Sequence, residues 1–161
     1  VGMRPPCRCH TCRGMVIDTL ILVESGRAGK RMNNTREILL IDDDAVDVMA
    51  IRRSLLRRET PPRLLVAKDG IDALVLLDQG DVSEQAVVFL DLNMPRMPGL
   101  HFLQMLRAHA QYRHLKVWVM TTSDDSQDEL AARELGVEGF LRKTFQSADI
   151  DAFVSDVLEA G

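Results

Sequence analysis

From Glu37 onward, strand-length apolar runs alternate five times with helix-length amphipathic segments, and this pattern leaves few folds open. The runs are Ile38-Leu-Leu-Ile41, Leu64-Leu-Val-Ala67, Ala86-Val-Val-Phe-Leu90, Val117-Trp-Val-Met120 and the weaker Gly139-Phe-Leu141. Each is continuously apolar, as a strand must be when both faces of its sheet are covered, and that is the condition of a parallel sheet. Strand-helix alternation implies right-handed crossovers with helices on both faces. The expected architecture is therefore α/β: a doubly wound, five-stranded parallel sheet of the (βα)5 type.

The intervening segments carry three- and four-residue apolar spacing. In Ala45 to Arg58, the residues Val48, Ile51, Leu55 and Leu56 read as the inner face, leaving Asp47, Arg53, Arg57 and Arg58 to solvent. Asp69-Gly70 opens a second helix with Ile71, Leu74, Val75 and Leu77 inward, and Gly80 ends it. The third runs from about Gly99 to His109, burying Leu100, Leu103 and either Leu106 or Met105. A fourth begins near Asp125 or Ser126 and stops at Gly136; a fifth follows Ser147 and uses Ile150, Phe153, Val154 and Val157.

Composition changes between residues 31 and 36, so 1–34 read as an N-terminal extension, disordered or not native, and 35–161 as the folded body. Residues 1 to 31 carry six Arg/Lys against two acids, a balance of +4, while the remainder carries fourteen against twenty-two, a balance of −8. Neutralising phosphates dominates affinity for nucleic acid, so the acidic body argues against that partner. Cys7, Cys9 and Cys12 all lie in the extension, which leaves the body no internal disulfide and points to a reducing, cytoplasmic compartment. Their spacing with His10 is not that of the common zinc sites. The apolar stretch Met15 to Val23 is far shorter than the roughly 20 residues that span a bilayer, and no membrane association is expected. Arg52, Arg53, Arg57 and Arg58 read as a solvated helix face.

In a doubly wound sheet, ligands bind beyond the carboxyl ends of the strands. Four strand ends here carry polar residues: Asp42-Asp43-Asp44 after the first, Asp91 after the third, Thr121-Thr122-Ser123 after the fourth and Lys143 after the fifth. Carboxylates held together raise one another's pKa unless a cation intervenes. Mg²⁺ suits such a cluster, since it takes oxygen ligands, keeps several waters and uses one or two protein carboxylates. Asp43 and Asp91 would supply those, with Asp42 direct or through water and the main-chain carbonyl of Asn93 as a further ligand. A carboxylate nucleophile can form an acyl phosphate, and phosphoryl transfer needs alignment and cations for the equatorial oxygens. A Thr121 hydroxyl could then donate to a phosphoryl oxygen.

Four motifs carry a family resemblance: Ile38-Leu-Leu-Ile-Asp42-Asp43-Asp44, Val88-Phe-Leu-Asp91-Leu-Asn-Met-Pro95-Arg-Met-Pro-Gly99, Val117-Trp-Val-Met-Thr121-Thr-Ser and Gly139-Phe140-Leu-Arg-Lys143. In this order and spacing, over about residues 37 to 159, the chain resembles the receiver domains of response regulators, which have a flavodoxin-like fold. The resemblance implies that Asp91 accepts a phosphoryl group from a histidine kinase and that Asp42 and Asp43 bind Mg²⁺. It also makes Thr121 the switch hydroxyl, Lys143 the phosphate-binding cation and Phe140 the switch aromatic. Thr122 competes with Thr121, which only the strand register favours, and Phe140 reads equally as a plain packing aromatic. The Thr-Thr-Ser-Asp-Asp run is similar to that of stand-alone regulators paired with phytochrome-type kinases. Such a protein is a phosphoacceptor rather than a turnover enzyme. Its output passes to a downstream protein or a second copy of the chain through the fourth helix, fifth strand and fifth helix. One departure is Thr144, where the family usually places a proline joined to the lysine by a cis peptide. Two rivals are a phosphorylation-independent interaction module and a Mg²⁺-dependent phosphohydrolase of the haloacid-dehalogenase type. The second would need its nucleophile after the first strand.

Overall fold

The computed structural model describes residues 36–122, 126–143 and 147–159. The extension with its Cys7, Cys9, His10 and Cys12, the stretch Ser123 to Asp125 and Thr144 with its peptide to Lys143 lie outside the described residues. The elements alternate throughout: β1 (Glu37–Ile41), α1 (Ala45–Leu56), β2 (Arg63–Ala67), α2 (Gly70–Asp78), β3 (Val87–Asp91), α3 (Gly99–Ala108), β4 (Lys116–Thr121), α4 (Ser126–Glu134), β5 (Gly139–Arg142) and α5 (Ser147–Glu159). All strand pairings are parallel, in the order β2-β1-β3-β4-β5. The switch in strand order falls between β1 and β3, where doubly wound sheets bind ligands.

Alternation along each strand divides the core into two layers. Leu39, Ile41, Val88, Leu90, Val117 and Val119 face one side, where Ala73, Leu77, Phe102, Leu103, Leu106 and Ala132 of α2, α3 and α4 cover them. Ile38, Leu40, Val87, Phe89 and Met120 face the other, under Ile51 and Leu55 of α1 and Phe153, Val154 and Val157 of α5. The helix faces depart from the expected ones at several positions. Leu56 is exposed, because at 100° per residue it sits about 140° around the helix from Ile51. Ile71 and Val75 of α2 are also exposed, and the buried stripe is Gly70, Ala73 and Leu77. On α3 it is Leu106, not Met105, that is buried, together with Phe102.

Register brings the polar strand ends into line. Ile41 pairs with Leu90, Asp91 with Met120 and Thr121 with Arg142, so Asp42, Asp91, Thr121 and Lys143 end up side by side on one rim. The Lys143 amide extends the last ladder by donating to Thr121 O at 2.9 Å. Gly99 lets α3 start against that rim: a Cβ there would collide with the carbonyl oxygen of Asp91. Instead, its N–H donates to Leu92 O at 3.0 Å.

Candidate functional site

Each acid at the rim is held by the backbone that follows it. After β1 the chain turns into α1, and the turn is built from its own carboxylates: Asp42 Oδ1 accepts the Asp44 N–H at 2.9 Å, and Asp44 Oδ1 caps the helix at Val46 N, 2.7 Å away. After β3 the same motif recurs, with Asp91 Oδ1 accepting the Asn93 N–H at 2.9 Å. One oxygen of Asp42 and of Asp91 is thus committed to a turn. The other oxygen, Oδ2, points to the centre of the site.

That centre holds the ammonium of Lys143. Its Nζ lies 2.7 Å from Asp91 Oδ2, 2.8 Å from Asp42 Oδ2 and 2.9 Å from Asp47 Oδ2. The lysine side chain is only 9% exposed, and Asp42 is fully enclosed. The contact to Asp91 has hydrogen-bond geometry. Asp42 Oδ2 is buried and faces the Lys143 ammonium as its charged neighbour. Burial pushes the Asp42 carboxyl up to about 6 from an ordinary 3.8; Lys143 and the Asp44 N–H pull it down, and Asp91 adds to the rise. Burial alone would lower the Lys143 ammonium, but its contacts with Asp42, Asp91 and Asp47 outweigh that and hold its pKa above the ordinary lysine value.

These residues fit a hard cation. Carboxylate oxygens of Asp42, Asp43 and Asp91 lie within 4.8 Å of one another, and Asp43 is exposed where a partly hydrated ion could reach it. Asp42 Oδ2, now paired with the Lys143 ammonium, adds a buried carboxylate oxygen to that set. The donors are all oxygen, which suits Mg²⁺ or Mn²⁺ over softer metals. Asn93 is exposed in the same turn as Asp91.

Of the two candidate hydroxyl residues, Thr121 ends β4 and is buried, while Thr122 lies beyond the strand and is exposed. Phe140 sits in β5, half-buried against the α2–α3–α4 layer, with the Arg133 guanidinium 4.6 Å above its ring. Asp47 corrects the sequence reading, because its carboxylate turns to Lys143 rather than to solvent. The signal was present: Asp47, Ile51 and Leu55 are spaced by four, which puts Asp47 on the buried stripe of α1. A second missed pair is Asp69 and Arg96. Buried Asp69 caps α2 through Ile71 N and Asp72 N, at 2.8 and 2.9 Å, and pairs with Arg96 Nη1 at 2.8 Å. Arg96, in the loop after Asp91, has a left-handed φ of 68°, and nothing in its residue type signals that.

Comparison with known proteins places this geometry. The model of the response regulator receiver domain matches residues 38–155. Chemotaxis protein CheY-3 of Vibrio cholerae is 30% identical over 128 residues, covering 80% of this chain and 95% of the relative. Response regulator Rcp1 of Synechocystis is 27% identical over 129 residues, covering 78% and 88%. The solved Mn²⁺-bound form of Rcp1 superposes with a TM-score of 0.67 at 26% identity, covering 76% of this chain and 91% of that one. The bacteriophytochrome response regulator AtBRR superposes with a TM-score of 0.62 at 31% identity, covering 75% and 91%. With a match that spans most of its length and the rim geometry to go with it, the chain belongs to the response-regulator receiver family.

Proposed function

We propose that this protein is a phosphoacceptor switch in which Asp91 takes a phosphoryl group from a histidine kinase with the help of Mg²⁺. The observation that carries the reading is the convergence of Asp42, Asp43 and Asp91 within 4.8 Å, with Lys143 Nζ 2.7 Å from Asp91 Oδ2. In the transfer, an Asp91 carboxylate oxygen forms a bond to phosphorus as the bond from phosphorus to the donor's histidine nitrogen breaks. The imidazole leaves with the bonding pair and takes up a proton. Asp42, Asp43, Asp91 and the Asn93 carbonyl would hold the cation, which when bound neutralises charge on the phosphoryl oxygens. Lys143 supplies the fixed positive charge beside them, already desolvated and so needing no reorganisation. Thr121, which ends β4, would donate its hydroxyl to a phosphoryl oxygen, and Phe140 on the neighbouring strand would follow that movement.

Two similar solved structures are bacteriophytochrome response regulators by name, which supports a phytochrome-type histidine kinase as the donor. Output then passes to a protein partner or to a second copy through the α4–β5–α5 face, where phosphorylation biases two arrangements. A receiver that takes its phosphoryl group from a histidine kinase would work in the cytoplasm; separately, no described helix is long and apolar enough to cross a membrane. The receiver domain would be residues 35–161, with 1–34 an extension to it.

Incubation with Mg²⁺ and acetyl phosphate or a phosphohistidine donor, followed by intact mass, tests the reading. One added phosphoryl group, absent in Asp91→Asn and in EDTA, is the expected result. An unchanged mass with every donor would leave a phosphorylation-independent binding module, and sustained turnover of a phosphomonoester would make the protein a hydrolase.

A further inference from the structure

We propose that Asp47 is a positioning residue of the phosphoacceptor site, an anchor on α1 that holds the Lys143 ammonium over Asp91. This rests on the phosphoacceptor reading above. Lys143 has three N–H bonds and three carboxylate neighbours: Asp91 at 2.7 Å, Asp42 at 2.8 Å and Asp47 at 2.9 Å. Asp42 and Asp91 also belong, with Asp43, to the oxygen cluster that fits a cation, and Asp47 does not. A cation or a phosphoryl group arriving at the rim therefore draws on two of the lysine's three partners. Among the described residues, Asp47 is the carboxylate neighbour it leaves in place.

The geometry gives Asp47 no competing work. It occupies the third position of α1, where an acid ordinarily accepts the N–H of the capping residue. Here that N–H, from Asp44, already donates to Asp42 Oδ1 at 2.9 Å. Lys143 needs such an anchor, since it follows directly on β5, a four-residue edge strand, and its side chain must cross towards β1 and β3. The pair is also partly withdrawn from water, at 9% exposure for Lys143 and 24% for Asp47. Beside it, Ile51, Met120, Leu141 and Ile150 line a small cleft with apolar walls. Water there replaces a lost carboxylate poorly, so the contact counts for more than a surface ion pair.

The test measures phosphoryl incorporation from acetyl phosphate with saturating Mg²⁺ in the natural chain and in Asp47→Ala, Asp47→Asn and Asp47→Glu. Initial rates are taken by intact mass across donor concentrations, and Mg²⁺ affinity is measured by calorimetry on the same samples. The maximal rate should fall about tenfold in the Ala and Asn variants, while Mg²⁺ affinity stays within about threefold. The longer Glu, which keeps the charge, should recover the rate to within about threefold of the natural chain. Asn is nearly isosteric, so it carries the test if the Ala variant does not fold. Natural maximal rates in both neutral variants overturn the proposal. So does a loss of Mg²⁺ affinity as large as the loss of rate, which would make Asp47 a structural or metal-binding residue. Absence of phosphoryl on the natural chain is a different result, and it overturns the phosphoacceptor reading itself.

Discussion

Metal-free protein should lose stability as pH rises from about 4 to about 6, and Asp42 should be the cause. Its carboxyl has an ordinary pKa of 3.8 and stands at about 6 in the folded chain, chiefly through burial. The folded state thus binds this proton more tightly than the unfolded state does. The resulting stabilisation is fully present below the unfolded value and is lost as pH climbs through the folded one. Two pKa units at about 1.4 kcal/mol each put the loss at up to roughly 3 kcal/mol. Lys143 does not blur the window, because its shift is upward and its own effect falls in the alkaline range. Asn at position 42 keeps the shape and can still accept the Asp44 N–H, but it does not titrate. Urea unfolding of the natural chain and of Asp42→Asn in EDTA, at pH 4, 5, 6 and 7, isolates the term, since the other groups are common to both. The stability of the variant relative to the natural chain should grow by up to roughly 3 kcal/mol across that range. Saturating Mg²⁺ at pH 7 should then restore stability to the natural chain, by about 2.7 kcal/mol at a hundred times the dissociation constant. A relative stability that stays flat from pH 4 to 7 would mean that folded Asp42 titrates like an exposed acid, and the argument from burial would fail.

Two further substitutions separate fold from site. Arg107 of α3 donates to Leu135 O and Gly136 O at 2.8 Å, to Arg113 O at 2.9 Å and to Leu115 O at 3.0 Å, which ties the end of α4 to the loop before β4. Arg107→Ala should lower the urea midpoint at unchanged slope, by about 2 to 4 kcal/mol, because several carbonyls lose their donor at once; a loss below about 0.5 kcal/mol would show that water replaces it. Asp43, by contrast, is exposed and outside the core. Asp43→Asn should leave the melting temperature in EDTA within about 3 °C and weaken Mg²⁺ binding by about tenfold or more. Calorimetry showing natural affinity would remove Asp43 from the metal site.

The strands were legible because a parallel strand covered on both faces leaves an uninterrupted apolar run, and four of the five such runs are strong here. Helix faces were less so. Leu56, Ile71 and Val75 are apolar and fit a loose three-four pattern, but rotation about the helix axis takes each of them off the buried stripe. Met105 and Leu106 are adjacent, and only their packing against the sheet decides between them. At the rim, the polar residues Asp42, Asp43, Asp91 and Lys143 stand out at strand ends, and the register brings those ends together; between Thr121 and Thr122 the strand ends alone do not choose, and their roles came from the family resemblance. Asp47 was missed for a physical reason: a charged residue on an amphipathic helix normally faces solvent, and that expectation hid its place on the stripe of Ile51 and Leu55. The Asp69–Arg96 pair depends on a left-handed backbone at Arg96, which no local pattern indicates.

One lysine thus joins four elements of the rim. Its Nζ contacts one carboxylate that follows β1, one at the end of β3 and one on α1, and its amide donates to Thr121 O at the end of β4. Asp42, Asp43, Asp47 and Asp91 outnumber the ammonium four to one, so the metal-free rim carries an excess of negative charge around one lysine. On the proposed function, a divalent cation would relieve that excess and a phosphoryl dianion on Asp91 would change it again, each time redistributing the same three lysine contacts. Because the contacts are short and largely desolvated, a change at Asp91 cannot stay local. It would shift the balance between the Asp42 and Asp47 contacts of Lys143, and the ladder bond from Lys143 to Thr121 O offers that shift a route to β4. Coupling of this kind needs no distant pathway, only a contiguous set of bonds with two arrangements. The residues that supply it are the ones already packed at the switch in strand order.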